Sequence, residues 1–254
     1  MLLESGNNVL GRGKVLFKEA GAGAYRYIVS TPSFTINVET ETAELWTSDT
    51  PVREKMVDTE TQRSYSGAFS AHDINADNLA IFFGGEVETI SQTGGTVTDE
   101  EITAVAGGIH QLGVDATHPR GKRDLSAVVI DDGDTTTYDE GDDYTVDLRR
   151  GLLHIVDGGA IANGASIEAN YTYGTTSYKS VKSTGKESSR GEIKFIAENA
   201  EGDDVDFILP NCTIRADGDF GLKSEDDFQA LSFTVDINTD DSGNAIITED
   251  ELIE

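Results

Sequence analysis

Between Leu231 and Ile237 apolar and polar residues alternate without a break, Leu231, Phe233, Val235 and Ile237 against Ser232, Thr234 and Asp236. A period of two sends the two sets to opposite faces of a β-strand, so the segment predicts a strand with one buried and one polar face. The signature recurs upstream. Val15 and Phe17 share a face after Gly11-Arg12-Gly13-Lys14, and Phe34, Ile36 and Val38 alternate with Thr35, Asn37 and Glu39. Tyr65, Gly67 and Phe69 do the same within a strand predicted over Thr59 to Ser70. Thr31-Pro32 interrupts the first long run at a bend, because proline has no N–H for a ladder. The stretch Gly191 to Ile237 as a whole predicts three or four strands joined by short turns.

One segment has a helical period. Over Ala76 to Phe83, Leu79, Phe82 and Phe83 form an i, i+3, i+4 stripe, Asn75 stands at the N-cap, and Ile74 and Leu79 occupy the staple positions. Gly84-Gly85 ends it. Two turns are too few to persist alone, so the stripe must pack on a sheet.

Connections divide the chain. Leu45 to Asp58, with the single tryptophan Trp46 and with Pro51 and Arg53, is predicted as a connection longer than the usual hairpin loop of about 2–5 residues. Trp46 at its base can anchor the loop to its own domain or meet a neighbouring subunit. Weak strands are expected at Glu101 to Val105 and His110 to Val114. Residues 115–173 have their own character: LSAVVI, DYTVDLRRGLLHIV and SIEANYTY are short strands at even spacing, an inserted β module. Gly174 to Ser189 is a Ser/Thr/Lys-rich link. The predicted organisation is an arm over 1–10, a β core from 11–114 and 174–237, the module at 115–173, and an acidic arm over 238–254.

Charge narrows the function classes. Forty-seven acidic residues against 19 basic ones give a net charge of −28 over 254 residues, so nucleic-acid phosphates are repelled except at local basic patches. An acid-rich, Lys-poor surface also suits high salt, where screening removes self-repulsion, so a halophilic host is one expectation. The lone Cys212 excludes an internal disulfide, and its apolar surroundings predict a buried thiol. No run approaches the about 18 apolar residues of a membrane helix, so membrane insertion is not expected.

No catalytic constellation is present: His72, His110, His118 and His154 lack metal-ligand spacing, there is no Gly-x-Ser-x-Gly elbow, and the chain is not expected to be an enzyme. Gly13-Lys14 is not a phosphate loop, since Asn8 stands where its first Gly belongs and Val15 where a Ser or Thr belongs. One ligand pattern appears. Asn238, Asp240, Ser242 and Glu249, with Gly243 between them, fall at EF-hand positions 1, 3, 5 and 12, a weak candidate for calcium that no helix precedes; otherwise no cofactor is expected.

Two blocks together resemble the tail tube proteins, the major tail proteins of long-tailed viruses. The first is Gly11 to Gly85, with GRGKVLF, TPSFTINVETETAEL, SYSGAFSAHDI and NADNLAIFFGG; the second is Gly191 to Ile237, with GEIKFIAENAEG, DFILP and SEDDFQALSFTVDI. The resemblance covers about half the chain and implies an all-β fold: a β-sandwich or half-barrel of two packed antiparallel sheets flanked by one helix. It further implies copies of the chain closing as hexameric rings, the rings stacking into a tube, other tail proteins at the tube ends, and viral DNA passing through the lumen. The localisation implied is the virion tail, assembled in the host cytoplasm. The family's inter-ring loop corresponds by position to Leu45 to Asp58, which makes Trp46, Pro51 and Arg53 candidate inter-ring contacts. Lumen-facing candidates are Asn37, Glu39, Ser232, Thr234 and Asp236, with acidic groups there expected to repel DNA. Two other classes fit the residues: an acidic calcium-dependent adhesion module, and a capsid-decorating or tail-terminating virion protein.

Overall fold

The computed structural model describes residues 9–49, 51–185 and 188–250. In chain order its elements are β1 (Gly13–Glu19), β2 (Arg26–Ile28), β3 (Ser33–Trp46), β4 (Lys55–Ala71), α1 (Ala76–Phe83), β5 (Gly85–Gln92), β6 (Gly95–Thr103), β7 (Ile109–Gln111), β8 (Leu125–Asp131), β9 (Tyr144–Asp147), β10 (Leu152–Ile155), β11 (Ser166–Tyr173), β12 (Thr176–Ser183), β13 (Ser189–Ala197), β14 (Val205–Ala216), β15 (Leu231–Asn238) and β16 (Ile247–Asp250). The protein is all-β with one short helix, in antiparallel sheets of eight, three, three and two strands, none closed into a barrel. It divides into two compact units, Met1–Glu88 with Val181–Glu254, and Thr89–Ser180.

The first unit is built on the eight-stranded sheet, ordered β2-β1-β13-β14-β15-β4-β3, with β16 beside the first half of β14. Residues opposed across antiparallel strands share a face. One face collects Val15, Phe17, Ile193, Leu209, Cys212, Ile214, Val235 and Phe233, all buried. Phe34 on edge strand β3 and Phe195 on β13 are four strand steps apart, about 19 Å across a flat sheet, yet their ring centroids are 6.1 Å apart. The sheet therefore curls over on itself, and its two halves face each other across one core. The bend is at β14, where Pro210 and Asn211 lie opposite the single residue Glu192: Gly191 pairs with Cys212 but Ile193 with Leu209. Such a bulge kinks the strand and increases its twist. Gly191 is required beside it, because a Cβ there would meet the Lys18 carbonyl oxygen at 2.1 Å.

Helix α1 caps this core. Asn75 Oδ1 accepts from the Asn78 amide at 2.8 Å, and Gly84 closes the helix at φ 58°. Phe82 packs edge-on against Phe233, whose ring stacks on Phe69 at 4.9 Å. The predicted stripe is corrected at one position: Phe83 turns outward toward Phe220, and Ile81 packs against the core instead.

Three connections differ from the sequence expectation. The long loop at Leu45 to Asp58 is mostly strand: β3 runs to Trp46, β4 begins at Lys55, and both continue as a two-stranded ribbon beyond the core. The link at Gly174 to Ser189 contains β12, which pairs with β5 in a two-stranded sheet. The expected C-terminal arm is part of the first unit over its described length, since Ala245 is buried, Ile246 packs on the core and β16 pairs with β14. Of the expected N-terminal arm, residues 1–8 lie outside the described residues, and Leu10 exchanges backbone hydrogen bonds with Glu201 and Ala200.

The second unit contains two three-stranded sheets, β7-β10-β9 and β6-β11-β8, around Leu112, Ile130, Leu153, Ile155, Ile167 and Ala169, all buried. Its seams fall at Thr89 and Ser180, where the sequence pattern put them at 115 and 173. The reason is pairing: β6 joins β11 and β7 joins β10, so both strands preceding residue 115 fold with the module. Asp143 ties its loops by accepting from the amides of Asp139 at 3.0 Å and Ala160 at 2.7 Å.

Candidate functional site

The sheet of the first unit presents a polar outer face. Rows of opposed residues cross it: Arg190, Thr213, Asp236, Ser66 and Asn37 form one row from β13 to β3, and Arg215, Thr234, Ala68 and Thr35 form the next. Ser232, Ser70 and Ser33 form a third, with the Ser33 and Ser70 hydroxyls 3.0 Å apart. Glu39 lies opposite Ser64 and accepts from Asn37 Nδ2 at 3.2 Å. The five lumen candidates Asn37, Glu39, Ser232, Thr234 and Asp236 thus share one face, the consequence of strand alternation once the register is fixed.

That face is charged but not uniformly acidic, which differs from the expected acidic wall. Arg215 pairs with Asp236, Lys18 Nζ meets Glu192 Oε2 at 2.6 Å, and Lys194 Nζ reaches Glu249 Oε2 at 3.3 Å and Asp206 Oδ2 at 3.6 Å. The hydrogen bond to Glu192 holds the Lys18 ammonium above the usual lysine range. Lys18, Lys194 and Arg215 each lie beside a carboxylate, so the wall is polar and partly neutralised.

The second component is the ribbon. From Glu39 to Trp46 and from Lys55 to Ser64 every residue is exposed, a length of about 25 Å at about 3.3 Å per residue. Its shaft is polar, and ion pairs link Lys55 to Glu44 at 2.6 Å and to Asp58 at 2.7 Å. Its far end is apolar: Leu45, Trp46, Met56 and Val57 are exposed around the turn, and Val52 within the turn is 72% exposed. Trp46 does not anchor the turn by burial. It is 41% exposed, and its Nε1 donates to Glu44 Oε2 at 3.1 Å. Pro51 and Arg53 lie in the exposed turn between the strands. The three loop candidates are therefore gathered at one tip, at the opposite end of the ribbon from the core.

The four calcium candidates have other engagements. Asn238 ends β15, Asp240 Oδ1 accepts from the backbone amides of Ser242 at 2.9 Å and Asn244 at 2.7 Å, and Glu249 sits in β16 against Lys194. Among the described residues, no three His, Cys, Asp or Glu are grouped to hold a metal ion. Of the four histidines, His118 lies next to Asp115 at 3.1 Å and His72 next to the Gln229 carbonyl oxygen at 3.1 Å.

Sequence reasoning missed the ribbon and β12. The available signal for the ribbon was the alternating Thr/Glu pattern of Glu-Thr-Ala-Glu over Glu41 to Glu44, which faces Asp-Thr-Glu-Thr-Gln over Asp58 to Gln62.

No curated protein is significantly similar to the chain. A family model described as "Protein of unknown function UCP028589" matches residues 8–246, nearly the full length and both units. The chain belongs to that family, whose function is not known.

Proposed function

We propose that this chain is a tail tube protein, a structural virion protein whose copies close edge to edge into rings that stack into the conduit for a viral genome. The observation that carries the reading is the exposed, apolar-tipped β3–β4 ribbon rising from the open edge of a curled sheet. In an isolated molecule both features are liabilities: β3 presents a 14-residue edge and the tip exposes five large apolar side chains. Self-assembly removes both, because an edge strand pairs with a neighbour's sheet and apolar tips are buried at subunit contacts. The ribbon carries its apolar tip about 25 Å from the core, where a neighbouring copy rather than its own core can cover it. The polar face bearing Asn37, Glu39, Ser232, Thr234 and Asp236 is then the lumen wall, where Lys18, Lys194 and Arg215 are held by carboxylates and so are less available to DNA phosphates.

Negative-stain microscopy of the purified chain across salt concentrations tests this. Stacked rings or tubes are expected. A protein that stays monomeric in every condition, or virions whose tube is lined by a different protein, would overturn the proposal. Single rings that never stack would favour the tail-terminating or capsid-decorating class.

A further inference from the structure

The second unit, Thr89–Ser180, contains six lysines and arginines against fifteen aspartates and glutamates. The six are Arg120, Lys122, Arg123, Arg149, Arg150 and Lys179, and backbone pairing brings their segments together. The Asp124 amide donates to the Arg149 carbonyl, Leu125 to Leu148, and Gly174, just before β12, to Asp124. Arg123, Arg149 and Arg150 line a cleft of about 460 Å³ with Asp124, Thr176 and Tyr178. Arg123 lies over the Tyr178 ring at 3.9 Å, and Arg150 pairs with Asp147 at 2.7 Å. Arg149 is exposed and has no carboxylate partner among the described residues.

The other end of the same strands is acidic. From Leu125 to Asp131, β8 spans about 20 Å at about 3.3 Å per residue. There Asp131, Glu168 and Glu101 stand side by side, in register, on β8, β11 and β6. Burial, then Asp99, Asp131 and Glu101, push the Glu168 carboxyl above the usual range. Asp134 and Glu140 are exposed in the adjoining turns, and none of the unit's six cations lies at this end. Like charges directly opposed across a sheet cost stability, and an approaching cation offsets that cost.

We infer that the Arg123–Arg149–Arg150 cleft docks the acidic end of the second unit of another copy of this chain, at Asp131, Asp134 and Glu140. A guanidinium fork matches a carboxylate in geometry as well as charge. The two surfaces are different and lie at opposite ends, so the contact is head-to-tail and repeats from copy to copy. It does not depend on the tube reading.

The test is sedimentation velocity of the full chain at about 0.05 M and about 1 M salt, since such a contact is screened as the Debye length shortens. Two charge-reversed variants are compared, Arg149→Glu with Arg150→Glu, and Asp134→Lys with Glu140→Lys, all at exposed positions. Wild type is expected to associate at low salt and less so at high salt. Each variant alone should associate at least about tenfold more weakly while still unfolding in one cooperative transition, the arginine variant melting somewhat lower because it loses the Arg150–Asp147 pair, and an equimolar mixture of the two should recover association. The inference fails if the arginine variant associates like wild type, if the mixture gains nothing over either variant, or if the cleft instead takes up a short DNA duplex without self-association. Tubes formed equally well by both variants would remove this contact and leave the tube reading intact.

Discussion

Single side chains carry much of the first unit's stability. Phe233 stacks on Phe69 and meets Phe82 at 5.9 Å, so it joins the sheet to α1. Truncating a buried Phe removes its transfer free energy and leaves a cavity. Phe233→Ala is expected to lower the unfolding free energy by about 3–5 kcal/mol in urea titration. A loss below about 1 kcal/mol would mean the site collapses or the stack is not formed. Cys212 behaves differently because it can ionise. Burial pushes its thiol up to about 12, and its Sγ donates to the Gly191 carbonyl oxygen at 3.1 Å. A folded value above the ordinary thiol value of about 8.5 means that the unfolded chain releases a proton which the folded chain keeps. This residue's contribution therefore favours unfolding increasingly as pH rises above the ordinary value. A disulfide reagent near pH 8 should leave Cys212 unlabelled in the native protein and label it fully in denaturant; rapid native labelling would contradict the burial. Glu168 presents the same sign from a carboxylate. With its carboxyl raised by burial and by neighbouring acids, Glu168→Gln should increase the melting temperature near neutral pH, and the gain should vanish as pH falls through the range where the wild-type group becomes protonated.

At the scale of elements, the ribbon separates folding from assembly. Leu45, Met56 and Val57 lie outside the core, so replacing each with Asp removes no buried contact. The triple variant is expected to keep the wild-type melting temperature within about 5 °C, because each exposed substitution changes stability by about 0.5 kcal/mol or less. It should form no stacked rings in electron micrographs. Stacks as abundant as those of wild type would exclude the tip as the inter-ring contact. The ribbon also marks the limit of what the pattern revealed. Strand β15 was legible because one face is buried, so each alternate position is apolar, and α1 was legible because Asn75 and Gly84 punctuate it. The outer end of the ribbon has no buried face, so Leu45, Trp46, Met56 and Val57 keep no clean alternation with polar residues and, with Pro51 between them, resemble a loop. Strand β12 was hidden for another reason: its partner β5 lies about ninety residues earlier, and a Ser/Thr/Lys composition does not reveal a distant partner. The shared face of Asn37, Glu39, Ser232, Thr234 and Asp236 followed from alternation, but their neutralising cations come from Arg215 and from strands whose register the sequence could not supply.

For the whole molecule, acid should test the two units unequally. The carboxylates held below their usual range concentrate in the second unit: Asp115 by Lys122, Asp132 at about 2 by the Thr136 amide, Asp143 by the Ala160 amide, and Asp147 by Arg150. In the first unit Asp240 is held low by the Asn244 amide, and the Glu192 carboxyl is also lowered, against the opposing effect of burial, by Lys18 and Tyr25. A depressed carboxylate contributes stability that is complete above its unfolded value of about 3.9 for Asp, and that is lost as pH falls through the folded value. Raised Glu168 works oppositely, so mild acid first relieves repulsion in the second unit before further protonation undoes its loop ties. Lowering pH toward the isoelectric point near 4.2 also reduces the net charge of −28 and its self-repulsion, and below that point positive charge builds up, both effects shared by the two units. Amide exchange followed from neutral pH to about pH 2 should therefore show β8 to β11 losing protection before β13 to β15, beginning only below about pH 4. Simultaneous loss in both units would mean that they unfold as one cooperative block, and the local hydrogen bonds of Asp132 and Asp143 would then have no separate thermodynamic expression.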